Sequence, residues 1–92
     1  MTMTVKITQT DETKGLTILK VEGKLTAADA VILTEVFAKL EAGEAISIDM
    51  SGVSFIDRES AAMISRLEEK GAELIGVDFF NRSVIDTYSK NN

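Results

Sequence analysis

The order of apolar patterns in this 92-residue chain predicts an α/β fold, a mixed sheet of about four strands with helices packed mainly on one face. Three observations predict it. Two alternating, strand-like segments open the chain, stretches of helical period follow, and each helical stretch is separated from the next by another short strand-like run. Repeated strand–helix–strand units imply parallel pairing with right-handed crossovers.

The first alternation is TVKITQT, where Val5 and Ile7 stand between Thr4, Lys6 and Thr8. LTILKVEG follows the turn-like DETKG, so the two segments predict a hairpin that Gly15 helps to close. Residues 26–42 change period. Leu33, Val36, Phe37 and Leu40 share one helical face, with Thr26 expected as N-cap, Asp29 three residues later and Gly43 as the stop. AISIDM returns to alternation, with Ile46, Ile48 and Met50 on one side and Ser47 and Asp49 on the other, the pattern of a strand covered on one face. SGVSF is expected as the loop after it. A helix from about Asp57 to Lys70 ends at Gly71, AELIGVDF reads as a further strand, and NRSVIDTYS as a last short helix carrying Val84, Ile85 and Tyr88. The expected order is β-β-α-β-α-β-α, with a loose tail in KNN.

Composition bounds the chemistry. One domain spanning residues 1–92 accounts for the whole length, with a core of Ile, Leu, Val and Ala. The chain has no His and no Cys, which removes the usual zinc ligands, thiol nucleophiles and any Ser-His-Asp arrangement. No catalytic residue, metal site or cofactor is assigned. A net charge of −5 with scattered Lys and Arg argues against nucleic acid as a partner. No apolar run approaches the roughly 20 residues of a membrane span, so no direct membrane insertion is expected. MTMTVKITQT lacks the basic start and apolar stretch of a secretory signal, which makes a cytoplasmic location the expectation.

The stretch SFIDRESAAMIS carries the densest set of candidate residues. Advancing 100° per residue from Asp57 places Ser60, Met63, Ile64 and Leu67 on the core side and Arg58, Glu59, Ala62, Arg66 and Glu69 on the opposite side. Asp57 reads as the N-cap, with a partner-contacting acid as the competing role. Glu59 gains about 0.3 to 1 kcal/mol from the helix dipole and needs no function to explain it. Ser60 is a tempting phosphoacceptor, but a dianionic phosphate is costly on a core-facing side chain. Arg58 and Arg66 can clamp an anion, yet Glu59 and Glu69 between them suggest a solvated mixed-charge face. Asp49 and Asp57 have no visible partner that fixes them for acid–base work. A nucleotide site has little support, because neither a glycine-rich phosphate loop nor a Walker-type lysine-serine pair is present.

The strand-to-helix stretch ISIDMSGVSFID resembles the STAS domain, shared by bacterial anti-sigma-factor antagonists and the cytoplasmic ends of sulfate transporters. VEGKLTAADA is similar to the family's entry to its first helix, with Gly23 and Leu25. EEKGAELIGV is similar to its glycine-led strand, and FFNRSVIDTYS looks like the helix that follows. The resemblance implies function by binding. In the family's antagonists an Asp-Ser-Ser-Gly stretch opens the second helix, and a kinase-like anti-sigma factor phosphorylates its second serine. Laid onto this chain, Asp57 matches the aspartate, Arg58 the first serine, Glu59 the phosphoacceptor and Ser60 the glycine.

The expected role is therefore a regulatory protein-binding module without the phosphorylatable serine, contacting its partner through Ser54, Asp57, Arg58, Glu59, Ala62 and Arg66. The partner is an anti-sigma factor or, in the alternative reading, the ATPase of a lipid or anion ABC transport complex in which the chain is a small STAS subunit. Many STAS domains continue with another strand and helix beyond this point. The chain thus resembles a minimal form, in which an uncovered sheet edge favours a homodimer or burial against a partner.

Overall fold

The computed structural model describes residues 5–13, 16–40 and 45–89. Its elements are β1 (Val5–Thr13), β2 (Leu16–Leu25), α1 (Ala27–Leu40), β3 (Ala45–Ile56), α2 (Arg58–Glu69), β4 (Glu73–Ile75) and α3 (Phe79–Ser89). The strands form one four-stranded sheet in the order β1-β2-β3-β4. β1 pairs antiparallel with β2, while β2 with β3 and β3 with β4 run parallel. This is the predicted α/β order. The expected turn at Gly15, the stop at Gly43 and the loose tail lie outside the described residues.

Alternation explains which face of the sheet is covered. Leu19 and Val21 of β2 and Ile46, Ile48 and Met50 of β3 are buried, and they join Leu33 and Phe37 of α1, Ile64 and Leu67 of α2 and Ile85 of α3 in one core. Burial of each such side chain contributes about 1.5 to 3 kcal/mol. On the other parity Ile18, Lys20, Glu22 and Asp49 are only half-buried, and Lys20 lies 3.8 Å from Asp49. Ser47 departs from this alternation: it is buried at 7% exposure and its hydroxyl donates to Glu73 at 3.3 Å.

Several expectations are corrected. SGVSF is strand rather than loop: β3 stays paired to β2 through Gly52, Val53, Phe55 and Ile56, with two register shifts. Bulges let a polar, glycine-containing segment remain in a ladder, and Gly23 opposite Val53 takes φ 102°. β4 is shorter than AELIGVDF because Gly76 turns the chain at φ 72°. Asp78 then caps α3, accepting from the Asn81 N–H at 2.7 Å, so the helix begins two residues before Asn81, at Phe79. Phe79 and Phe80 consequently stand in solvent, and Tyr88 of the same helix is 39% exposed. Thr26 precedes α1 as expected, and its hydroxyl donates to Asp29 at 2.9 Å.

The end of α2 follows the sequence closely. The Ala72 N–H donates to the Leu67 carbonyl and the Gly71 N–H to the Glu68 carbonyl, both at 3.0 Å. With Gly71 at φ 110° and Ala72 and Leu67 both buried, this is the Schellman closure. Arg82 of α3 then reaches Glu68 of α2 with both terminal nitrogens, each at 3.1 Å. That pair is more than a third exposed and fixes orientation more than it adds stability.

Candidate functional site

The site grows from the junction where β3 ends and α2 begins. Ile56 is buried in the core, and the next residue, Asp57, stays extended at φ −85° and ψ 172° before the chain turns into the helix. Its carboxylate accepts from the Ser60 N–H at 2.8 Å, and its carbonyl from the Ala61 N–H at 2.9 Å. The second carboxylate oxygen accepts from the Ala27 N–H at 3.2 Å. One side chain therefore caps α2 and also serves the first N–H of α1.

Burial acts to push the Asp57 carboxyl up, but the hydrogen bonds from Ser60 and Ala27 outweigh it and hold the group below the ordinary aspartate value. A depressed folded-state pKa means that this stabilisation is present above the unfolded value, near 3.9, and is lost as pH falls through the folded value. Asp57→Ala is expected to cost about 1–2 kcal/mol by loss of the cap and to flatten the acid limb of the stability–pH curve. Urea unfolding of both forms at neutral pH and at about pH 3 measures this: the difference between them should shrink at the acid end.

The helix places its first-turn residues on opposite sides. Arg58 and Glu59 are exposed, whereas Ser60 is 0% exposed and its hydroxyl has no hydrogen-bond partner among the described residues. Of the expected contact residues, Ser54 is exposed at the end of β3, Arg66 is exposed on α2, and Ala62 and Asp57 are half-buried. Arg58, Glu59, Ala62 and Arg66 share one side of α2, with Ser54 three residues before the cap. Met63, expected on the core side, is half-buried and lines a groove between α2 and α1 with Arg66. Ala61 and Ser65 are buried although neither was assigned to the core.

Phe55 is the residue that sequence reasoning passed over. At 46% exposure it is a large apolar side chain beside Ser54. On simple alternation Phe55 shares a side with the buried Val53, and the register shift between the two in the pairing to β2 turns it outward, which no local signal announces. Asp49 plays no part in this site. Its carboxylate accepts from the Ser51 N–H at 3.0 Å, and that bond, aided by Lys20, holds it below the usual range. Among the described residues no group of three or more Asp and Glu is close enough to hold a metal ion.

The model of the STAS domain matches residues 7–80, and the chain belongs to the STAS domain family. It is similar in structure to the antisigma-factor antagonist STAS domain from Rhodobacter sphaeroides, with a TM-score of 0.61 and 21% identity over 95% of this chain and 92% of that one. It is also similar to part of the murine solute carrier 26 family member A9 anion transporter, with a TM-score of 0.58 and 24% identity over 79% of this chain and 14% of the transporter. A further structure of SLC26A9 gives a TM-score of 0.57 at 20% identity over 87% of this chain and 16% of that one. At these identities the likeness is one of fold. No curated protein matches the chain. No helix among the described residues is long and apolar enough to cross a membrane.

Proposed function

We propose that this STAS domain is a non-catalytic, cytoplasmic protein-binding module, an antagonist-like regulator in a partner-switching pathway of transcription control that has no phosphorylatable serine at its switch position. One observation carries this reading: Glu59, in the family's phosphoacceptor position, is exposed, and the neighbouring Ser60 is fully buried. A carboxylate carries one negative charge where phosphoserine carries about 1.5 to 2. Position 59 therefore carries a carboxylate in place of a phosphorylatable hydroxyl, and the exposed Arg58 and Ser54 and the half-buried Ala62 complete the face that we assign to a partner.

The experiment restores the missing group. Glu59→Ser, incubated with an anti-sigma kinase and ATP, is expected to take up phosphate at position 59, while the wild-type protein takes up none. Phosphate found on Ser60 of the wild-type chain contradicts the proposal.

A second reading makes the chain a small STAS subunit of a membrane transport complex for lipids or anions, docked on an ATPase. The likeness to a portion of an anion transporter favours it, and it needs no phosphoserine. The two readings share the same face of α2 and differ in the partner it holds.

A further inference from the structure

We infer that this chain associates with itself head to tail, the phenyl ring of Phe79 at the start of α3 in one copy seating in the groove between α1 and α2 of the next. Two features left unused by the site meet in this contact.

The groove has a volume of about 190 Å³. Val31 of α1 and Met63 and Leu67 of α2 form its apolar lining, and Glu35, Arg66 and Lys70 stand around it. Size decides the class of occupant. Sites for drug-sized ligands run from about 300 Å³ upward, whereas a cavity of about 150 Å³ with apolar walls accepts a benzene ring. The groove fits one aromatic side chain.

This chain displays such side chains and leaves them uncovered. Phe79 is 90% exposed and Phe80 68% exposed. Adjacent exposed phenyl rings are a cost to an isolated small domain and mark an interaction surface.

Charge favours this groove for Phe79. Arg66 and Lys70 are exposed and form no ion pair among the described residues. Asp78, immediately before Phe79, is an exposed acid whose carboxylate is already held in place by the Asn81 N–H. The seating of Phe79 that we infer sets Asp78 by Arg66 and Lys70 at the α2 wall of the groove, opposite Glu35 of α1. Knob and groove lie on different surfaces, one at the start of α3 and the other between α1 and α2. The contact is therefore heterologous and propagates into chains or a ring instead of closing as a two-fold dimer.

The test uses the full chain and two exposed substitutions. Phe79→Ser/Phe80→Ser removes the knob, and Val31→Glu, at a side chain 43% exposed, sets an acid in the groove against Asp78. Sedimentation equilibrium across micromolar to millimolar protein measures mass, and circular dichroism checks the fold. The wild-type mass is expected to rise with concentration without a plateau at the dimer. Each variant alone should associate at least about tenfold more weakly. An equimolar mixture should stop at a one-to-one dimer, because each variant keeps one intact half of the contact. A wild-type chain that stays monomeric throughout, a closed dimer that survives both variants, or a mixture no heavier than its components overturns the inference.

Discussion

Ser60→Asp is expected to cost about 3–5 kcal/mol, the penalty of an uncompensated buried charge. Domains of this size have roughly 5–15 kcal/mol in total, so the variant retains only a fraction of its stability. The helix dipole offers a carboxylate in the first turn about 0.3 to 1 kcal/mol, too little to offset burial at 0% exposure, and Asp57 already holds the nearby N–H groups. Glu59→Ser, one residue away on the exposed side, should cost no more than about 1 kcal/mol, the dipole contribution that its carboxylate forfeits. Urea denaturation of the two variants beside the wild type measures both. Comparable losses for the two would show that the helix does not separate these positions.

The second large effect lies at Gly76→Ala. Gly76 adopts φ 72°, and a β-carbon built there falls 2.9 Å from both the backbone nitrogen and the β-carbon of Ser51 in β3. The left-handed conformation costs an L-residue about 1–2 kcal/mol, and displacement of a strand backbone adds about 1–3 kcal/mol. Together they amount to about 2–5 kcal/mol. Thermal unfolding should show a fall of about 4–8 °C for each kcal/mol lost. Two other glycines serve as controls. Gly71→Ala has the positive φ but open space and should lose only the conformational part. Gly52→Ala, at an ordinary φ, sets a β-carbon 2.8 Å from the γ-carbon of Glu22 and should lose only the steric part. Equal losses at all three would remove the close approach of the β4 turn to β3 as the cause.

Much of the fold was legible because periodicity is a local property. The alternation of Ile46, Ile48 and Met50 and the helical spacing of Ile64 and Leu67 each report which side faces the core, and both faced it. The Asp57 cap and the Gly71 closure are also local signals. What escaped is what depends on residues distant in sequence. The bond from Ala27 to Asp57 spans 30 residues and follows from two helices starting at the same end of a parallel sheet. SGVSF reads as a loop in isolation and remains strand because β2 supplies a partner along its length. Asp78 looked like part of a strand, but Gly76 had already turned the chain, which freed the aspartate to cap α3 and left Phe79 and Phe80 outside. The opposed placement of Glu59 and Ser60 needed only the 100° step, and for that reason the candidate face was readable while its neighbour Phe55 was not.

The most direct test of a binding role for the outward face of α2 is an affinity capture from an extract of the native cells, with wild-type, Glu59→Ser and Arg58→Ala/Glu59→Ala proteins as baits and mass spectrometry to identify what each retains. The account predicts a defined protein held by the wild type and lost by the double variant. An anti-sigma kinase would mark the switching reading, and a transporter ATPase the subunit reading. Identical retention by all three baits would contradict the account and place the recognition surface elsewhere on the domain.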